Sequence, residues 1–88
     1  MAVTRRPIEF VQACGKRLKK VRLALGLSQV RLCKKLGVKQ NAYSAWENGK
    51  LLIDPYVACA LATIFGVSLD YIYRGVEKDL PPDIRKNI

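Results

Sequence analysis

The sequence predicts an all-α fold of five short helices, and three observations support this class. Apolar residues recur every three or four positions along most of the chain, which is the period of a helix buried on one face. No segment alternates apolar and polar residues as a half-buried strand does. Residues that start and stop helices recur at intervals typical of short helices. The 88 residues are enough for one small domain.

The first helix is expected within residues 7–25, with its apolar side chains on one face. Pro7 suits the first turn of a helix, and Gly26 suits its end. A second helix follows, because the Ser28 hydroxyl can cap its free N–H groups and Gly37 can adopt the left-handed conformation that ends it. The apolar positions of the two helices are Ile8, Val11, Cys14, Leu18, Val21, Leu25, Val30, Leu32, Cys33 and Leu36.

The remaining elements follow similar signals. A third helix is expected over residues 39–48, ahead of a glycine. Asp54–Pro55 starts a fourth, mostly apolar helix, since aspartate caps helix N-termini and proline suits the first helical position. A short fifth helix is expected over residues 68–75, between a serine cap and a glycine. The tail, residues 76–88, carries two prolines and is expected to be disordered or to contact a second copy.

Composition excludes several classes of protein. There is no histidine, and the three cysteines are far apart, so neither a disulfide framework nor a structural zinc site is expected. The absence of histidine also removes the commonest general base, so the protein is not expected to be an enzyme. No metal and no other cofactor is implied. The chain shows no apolar run of membrane-spanning length and no signal peptide, which favours a cytoplasmic protein without membrane contact.

Charge is concentrated in one half of the chain. The net charge is +9, and residues 1–50 hold almost all the excess, with Glu9 and Glu47 as their only acids. Residues 51–88 are close to neutral. A cationic half favours a polyanionic partner, although a merely solvated basic face is the alternative.

The second helix, its glycine turn and the third helix form a helix-turn-helix, a motif that can place its second helix in the major groove of DNA. Around this motif, the stretch from Gly15 to Gly75 resembles the DNA-binding domain of lambda repressor and Cro, the Xre-like family. The resemblance implies a lambda-repressor-like fold and covers 61 of 88 residues. Its matching positions are Gly15, Leu18, Arg22, Gly26–Gln29, Leu32, Leu36–Val38, Trp46–Lys50, Leu61, Ala62 and Gly66–Ile72. The chain then divides into an N-terminal extension (1–13) that merges into the first helix, a helix-turn-helix domain (14–75) and the tail.

The resemblance implies a role for each polar residue of the motif. Base contacts fall to Lys39, Gln40, Asn41 and Ser44. Phosphate contacts fall to Gln29, Lys50 and Tyr43, whose ring is expected to pack while its hydroxyl reaches the surface. Arg22 and Glu47 are expected to form a structural ion pair. These residue types suit the roles, because glutamine and asparagine can pair bidentately with adenine and lysine can reach guanine.

Leu51, Leu52 and Ile53 depart from the resemblance, since basic or polar residues are common there. They form either a partner or dimer surface, together with Tyr71 and Tyr73, or a loop folded onto the core. The function implied is a stand-alone transcriptional regulator that binds double-stranded DNA as a two-fold homodimer on a palindromic operator. An antitoxin or adaptor with a protein partner, and nonspecific nucleic-acid binding, are the alternatives.

Overall fold

The computed structural model describes residues 7–88, and over that range every regular element is helical and there is no strand. The all-α class predicted from the sequence is confirmed. The number of helices is larger than predicted, because the described residues form six helical elements instead of five. These are α1 (Ile8–Ala24), α2 (Gln29–Leu36), α3 (Gln40–Glu47), α4 (Pro55–Phe65), a π-helical turn (Asp70–Arg74) and α5 (Pro82–Asn87).

Local signals fix where the helices begin and end. Ser28 accepts a hydrogen bond from the backbone N–H of Arg31 at 3.1 Å, which caps α2. Asp54 accepts two backbone N–H groups at the start of α4, with Pro55 in the first helical position. Gly37 ends α2 at φ 71°, a left-handed conformation that disfavours residues with a Cβ atom. This turn separates α2 from α3 by three residues.

The core is one cluster of buried side chains drawn from all six helical elements and from three of the connections between them. Tyr43 lies within it and contacts Trp46 edge to face, with ring centroids 6.0 Å apart. The other buried members are Leu18, Val21, Leu32, Cys33, Ile53, Ala58, Leu61, Phe65, Val67, Tyr71, Ile72, Leu80 and Ile84. Since α1 and α3 both contribute, the core fixes the helix-turn-helix against α1.

Gly15 brings α1 unusually close to the end of α3. A Cβ atom at Gly15 would lie 2.4 Å from the backbone oxygen of Trp46 and 2.6 Å from that of Glu47. Both distances are far below van der Waals contact, so no larger residue fits without moving the two helices apart. The close approach sets the position of α3 relative to α1.

The tail does not take the disordered form that the sequence allowed. Its residues Pro82–Asn87 form α5, and Leu80 and Ile84 are buried in the core. Burial of two aliphatic side chains supplies the packing energy that a short helix lacks alone. At the other end of the chain, the part of the predicted extension over residues 1–6 lies outside the described residues, and Ile8 already belongs to α1.

Cysteines, metals and membranes give three further findings. Cys14 and Cys33 are buried, and burial raises the pKa of both thiols, whereas Cys59 is exposed. Within residues 7–88, no group of three or more histidine, cysteine or acidic side chains could hold a metal ion. No helix in the described part of the chain is long and apolar enough to cross a bilayer.

Candidate nucleic-acid interface

The predicted ion pair between Arg22 and Glu47 is present and buried. Arg22 donates through Nε to Glu47 Oε2 at 2.6 Å and through Nη2 to Oε1 at 3.1 Å. Arg22 also donates to the carbonyl of Leu27 at 2.8 Å, so one guanidinium joins α1, the loop before α2 and the end of α3. The planar fork of arginine matches a carboxylate in this way, whereas the ammonium of lysine does not.

Gln29 extends this pair toward the surface. Its Nε2 donates to Glu47 Oε1 at 3.1 Å, which connects the first residue of α2 to the last residue of α3. Burial by itself would raise the pKa of the Glu47 carboxyl, but the hydrogen bonds and charge of Arg22, together with the nearby Tyr43 hydroxyl and the Gln29 amide, outweigh burial and lower that pKa. Glu47 is therefore ionised at neutral pH, and Gln29 is held at a half-buried position on the start of α2.

The outward face of α3 carries small and polar side chains. Gln40 and Asn41 are exposed on its first turn, and Ser44 is half-buried one turn further on. Asn48, which follows the helix, donates through Nδ2 to Ser44 Oγ at 3.2 Å. Residues four apart lie on one side of a helix, so Gln40, Ser44 and Asn48 form a single row. The row offers amide and hydroxyl groups, which can both donate to and accept from base edges.

Basic residues flank this face. Lys39 is the N-cap residue of α3, and Lys50 follows it in the next loop, and both side chains are exposed. The first-turn N–H groups of α2 have no intrahelical acceptor, and with the helix dipole they favour an anion at that end. Further exposed cations lie on α2 at Arg31, Lys34 and Lys35.

Tyr43 does not take the phosphate-contacting position predicted for it. Its side chain is 0% exposed, and its hydroxyl has no hydrogen-bond partner among the described residues. Burial, with the nearby Glu47 carboxylate, raises the pKa of the phenol well above its usual range. The expectation of a surface hydroxyl was wrong, because Tyr43 faces the core on the same side of α3 as Glu47.

The predicted partner surface is only partly exposed. Leu51 is 61% exposed, but Ile53 and Tyr71 are each 2% exposed and belong to the core. Tyr73 is half-buried, and its hydroxyl donates to the Ile53 carbonyl at 2.9 Å. Ile53 and Tyr71 therefore cannot contact a partner without unfolding. Half-buried Leu52 lines, with Leu51 and Tyr73, an open cavity of about 390 Å³.

A model of the helix-turn-helix family matches residues 18–72, which is more than half of the chain. The chain belongs to the helix-turn-helix family of the lambda-repressor (Xre) type. It is 36% identical over 69 residues to the SPbeta prophage-derived uncharacterized HTH-type transcriptional regulator YonR of Bacillus subtilis (strain 168). That alignment covers 78% of this chain and 64% of YonR, so the chain spans just under two thirds of the length of this relative. No solved structure matches the chain significantly.

The family assignment confirms the resemblance found in the sequence and makes α2 and α3 a DNA-binding helix-turn-helix of the kind found in transcription regulators. Two features of this helix-turn-helix were missed by the sequence analysis. Asn48 lies on the same face as Gln40 and Ser44. The four-residue spacing of these three residues in the sequence could have indicated this. The hydrogen bond from Gln29 to Glu47 depends on tertiary contact, and no sequence pattern signals it.

Proposed function

We propose that this protein is a transcriptional regulator that binds double-stranded DNA sequence-specifically, with α3 in the major groove. The observation that carries the proposal is the row of amide and hydroxyl groups formed by Gln40, Ser44 and Asn48 along the outward side of α3, flanked by the exposed Lys39 and Lys50. An α-helix fits the major groove, where each base pair presents a distinct pattern of donors and acceptors. A nonspecific binder needs cations but gains nothing from such a row.

Base contacts are assigned to Lys39, Gln40, Asn41 and Ser44. Gln40 and Asn41 project from the first turn of α3, the part of a recognition helix that reaches base edges. Their amides suit adenine, and the ammonium of Lys39 suits guanine. Ser44, whose hydroxyl already accepts a hydrogen bond from Asn48, contacts a base or the adjacent backbone.

Phosphate contacts are assigned to Lys50 and to the start of α2 at Gln29. The family assignment supports this placement, and so does the exposure of Lys50 directly after α3. Such contacts fix register on the duplex but carry no sequence information. A two-fold dimer on a palindromic operator completes the proposal, because two half-sites give the specificity that a domain this small lacks alone.

The test compares Gln40→Ala with Asn87→Ala, which removes an exposed amide from α5. We expect Gln40→Ala to weaken binding to the preferred site by about 1–3 kcal/mol and to leave binding to unrelated DNA unchanged. Asn87→Ala should bind both as the wild type does. Equal loss on both DNA sequences, or no loss, would contradict base recognition by α3.

A further inference from the structure

α4 has an exposed outer face that carries no charged side chain. Its inner side chains Ala58, Leu61 and Phe65 are buried in the core, whereas five residues point the other way and are exposed. These are Tyr56, Cys59, Ala60, Thr63 and Ile64, called here the α4 outer face. Tyr56 is 85% exposed, the largest exposure among the apolar side chains described.

The α4 outer face is uncharged and offers few polar groups. α4 is the one α-helix within residues 7–88 that contains no charged residue. The Thr63 hydroxyl donates to the carbonyl of Cys59 at 3.1 Å, so it is satisfied within its own helix. A face of this kind gains from being covered, because it removes apolar surface from water without desolvating a charge.

The charge of the whole chain limits what can cover this face. With a net charge of +9, two copies repel wherever basic faces meet, as on α1 at Lys16, Lys19 and Lys20. The α4 outer face avoids that repulsion, since a second copy brings an equally uncharged surface to it. A partner with an acidic or basic surface finds no group of opposite charge there.

The arrangement of side chains suits a two-fold contact. In an antiparallel pair of α4 helices centred on Ala60, Tyr56 of one copy lies against Ile64 of the other, because these two residues flank Ala60 at equal spacing. The small Ala60 side chains lie at the axis and let the helices approach. The positive N-terminal end of each helix then lies beside the negative C-terminal end of its partner. A two-fold contact uses the same patch on both copies, which this face provides.

We propose that the α4 outer face is the surface through which two copies of this chain associate about a two-fold axis. The α4 outer face would then be the interface of the dimer described under the proposed function. Only the effect of this interface on DNA binding rests on that function. The α4 outer face takes the place of the predicted dimer surface at Ile53 and Tyr71, because both of these side chains are buried.

Sedimentation equilibrium without DNA tests the interface directly. The variants are Tyr56→Glu and Ile64→Glu, and the matched control is Ile8→Glu, which places the same acid on an exposed apolar position of α1. We expect a reversible dimer for the wild type and the control. Each α4 variant buries two like charges across the axis, so its dimer dissociation constant should rise about 100-fold or more. Circular dichroism checks that the variants fold, and Tyr56→Glu is the safer variant because that side chain makes little contact.

Crosslinking gives a second measurement on the unmodified chain. Cys14 and Cys33 are buried and Cys59 is exposed, so a short bismaleimide should join two copies through Cys59 alone. Cys59→Ser should abolish the crosslinked dimer, and Tyr56→Glu should reduce it.

Two outcomes overturn the proposal. One is a wild-type dimer that Tyr56→Glu and Ile64→Glu leave intact. The other is a wild type that stays monomeric alone and also binds palindromic DNA without cooperativity between protomers. Failure of the proposed function would give a different result. If no DNA sequence is preferred but the wild type dimerises without DNA and Tyr56→Glu dissociates that dimer, the interface is supported and the proposed function is not. If dimerisation needs DNA, Tyr56→Glu should abolish cooperativity on a palindrome while half-site affinity is kept.

Discussion

Arg22 and Glu47 form a two-pronged ion pair that joins α1 to the end of α3, with side chains only 8% and 2% exposed. Removing one member of such a pair leaves the other charge buried and uncompensated. We therefore expect Glu47→Ala to lower the free energy of unfolding by about 3–5 kcal/mol. Urea denaturation followed by circular dichroism measures the loss. The control Glu77→Ala, at an exposed carboxylate, should change it by less than about 0.5 kcal/mol.

A loss below about 1 kcal/mol for Glu47→Ala would mean that solvent screens the pair, as it does for surface salt bridges. The exposed pair between Arg74 and Asp70, at 3.5 Å, provides that comparison within the same chain.

Acid should destabilise the protein through Glu47. Its pKa in the folded state is held below the ordinary value of 4.5, so the stability it contributes is complete above pH 4.5 and is lost as the pH falls through the folded pKa. We expect the melting temperature of the wild type to fall faster below pH 4.5 than that of Glu47→Gln, which has no carboxyl to protonate. Melting curves between pH 3 and pH 7 measure the difference. Parallel curves for the two proteins would contradict the lowered pKa.

Gly15→Ala should destabilise the fold by about 1–3 kcal/mol, because its Cβ atom would overlap the backbone oxygens at the end of α3. Gly37→Ala is the comparison, since its Cβ atom would meet nothing within 4 Å and only its positive φ opposes the change. That conformational penalty is about 1–2 kcal/mol. DNA affinity distinguishes the two variants, because displacement of α3 should weaken DNA binding by the folded Gly15→Ala variant. Unchanged affinity for folded Gly15→Ala would show that α3 keeps its position.

Tyr43→Phe should change the free energy of unfolding by less than about 1 kcal/mol, because it removes a buried hydroxyl that makes no hydrogen bond of standard geometry but lies near the Glu47 carboxylate. DNA affinity should not change either, since the hydroxyl does not reach the surface. Urea denaturation and a DNA-binding titration check the two expectations. A selective loss of DNA affinity would restore the phosphate contact that the sequence predicted.

Lys50→Ala should weaken binding to all DNA sequences alike and should reduce the slope of log affinity against log salt by about 1, as expected for one lost phosphate contact. Lys78→Ala, which removes an exposed lysine after the π-helical turn, is the matched control. Titrations at several salt concentrations give both slopes. An unchanged slope for Lys50→Ala would remove Lys50 from the interface.

The features that the sequence predicted most accurately are those determined by a few neighbouring residues. The caps at Ser28 and Asp54 and the glycine that ends α2 depend on a few consecutive residues, and the structure confirms them. The family motif also identified the pair of Arg22 and Glu47. These features need no knowledge of the distant packing.

The errors concern contacts between distant segments. An apolar period does not tell how deep a tyrosine lies, so the hydroxyl of Tyr43 and the side chain of Tyr71 were expected at the surface although the core encloses both residues. Leu80 and Ile84 gave too short a pattern to predict α5, whose stability comes from packing. The roles of the residues on α3 remain predictions, because they depend on a bound duplex.

The most direct test of base recognition is selection of bound duplexes from a random DNA pool at about physiological salt, which suppresses binding driven by counterion release. We expect enrichment of a palindrome whose half-sites lie about one helical turn apart. Selection repeated with Gln40→Ala should lose or change the preferred bases while keeping the spacing of the half-sites. A pool that shows no enrichment, together with an affinity that collapses as salt rises, would contradict sequence-specific binding by α3.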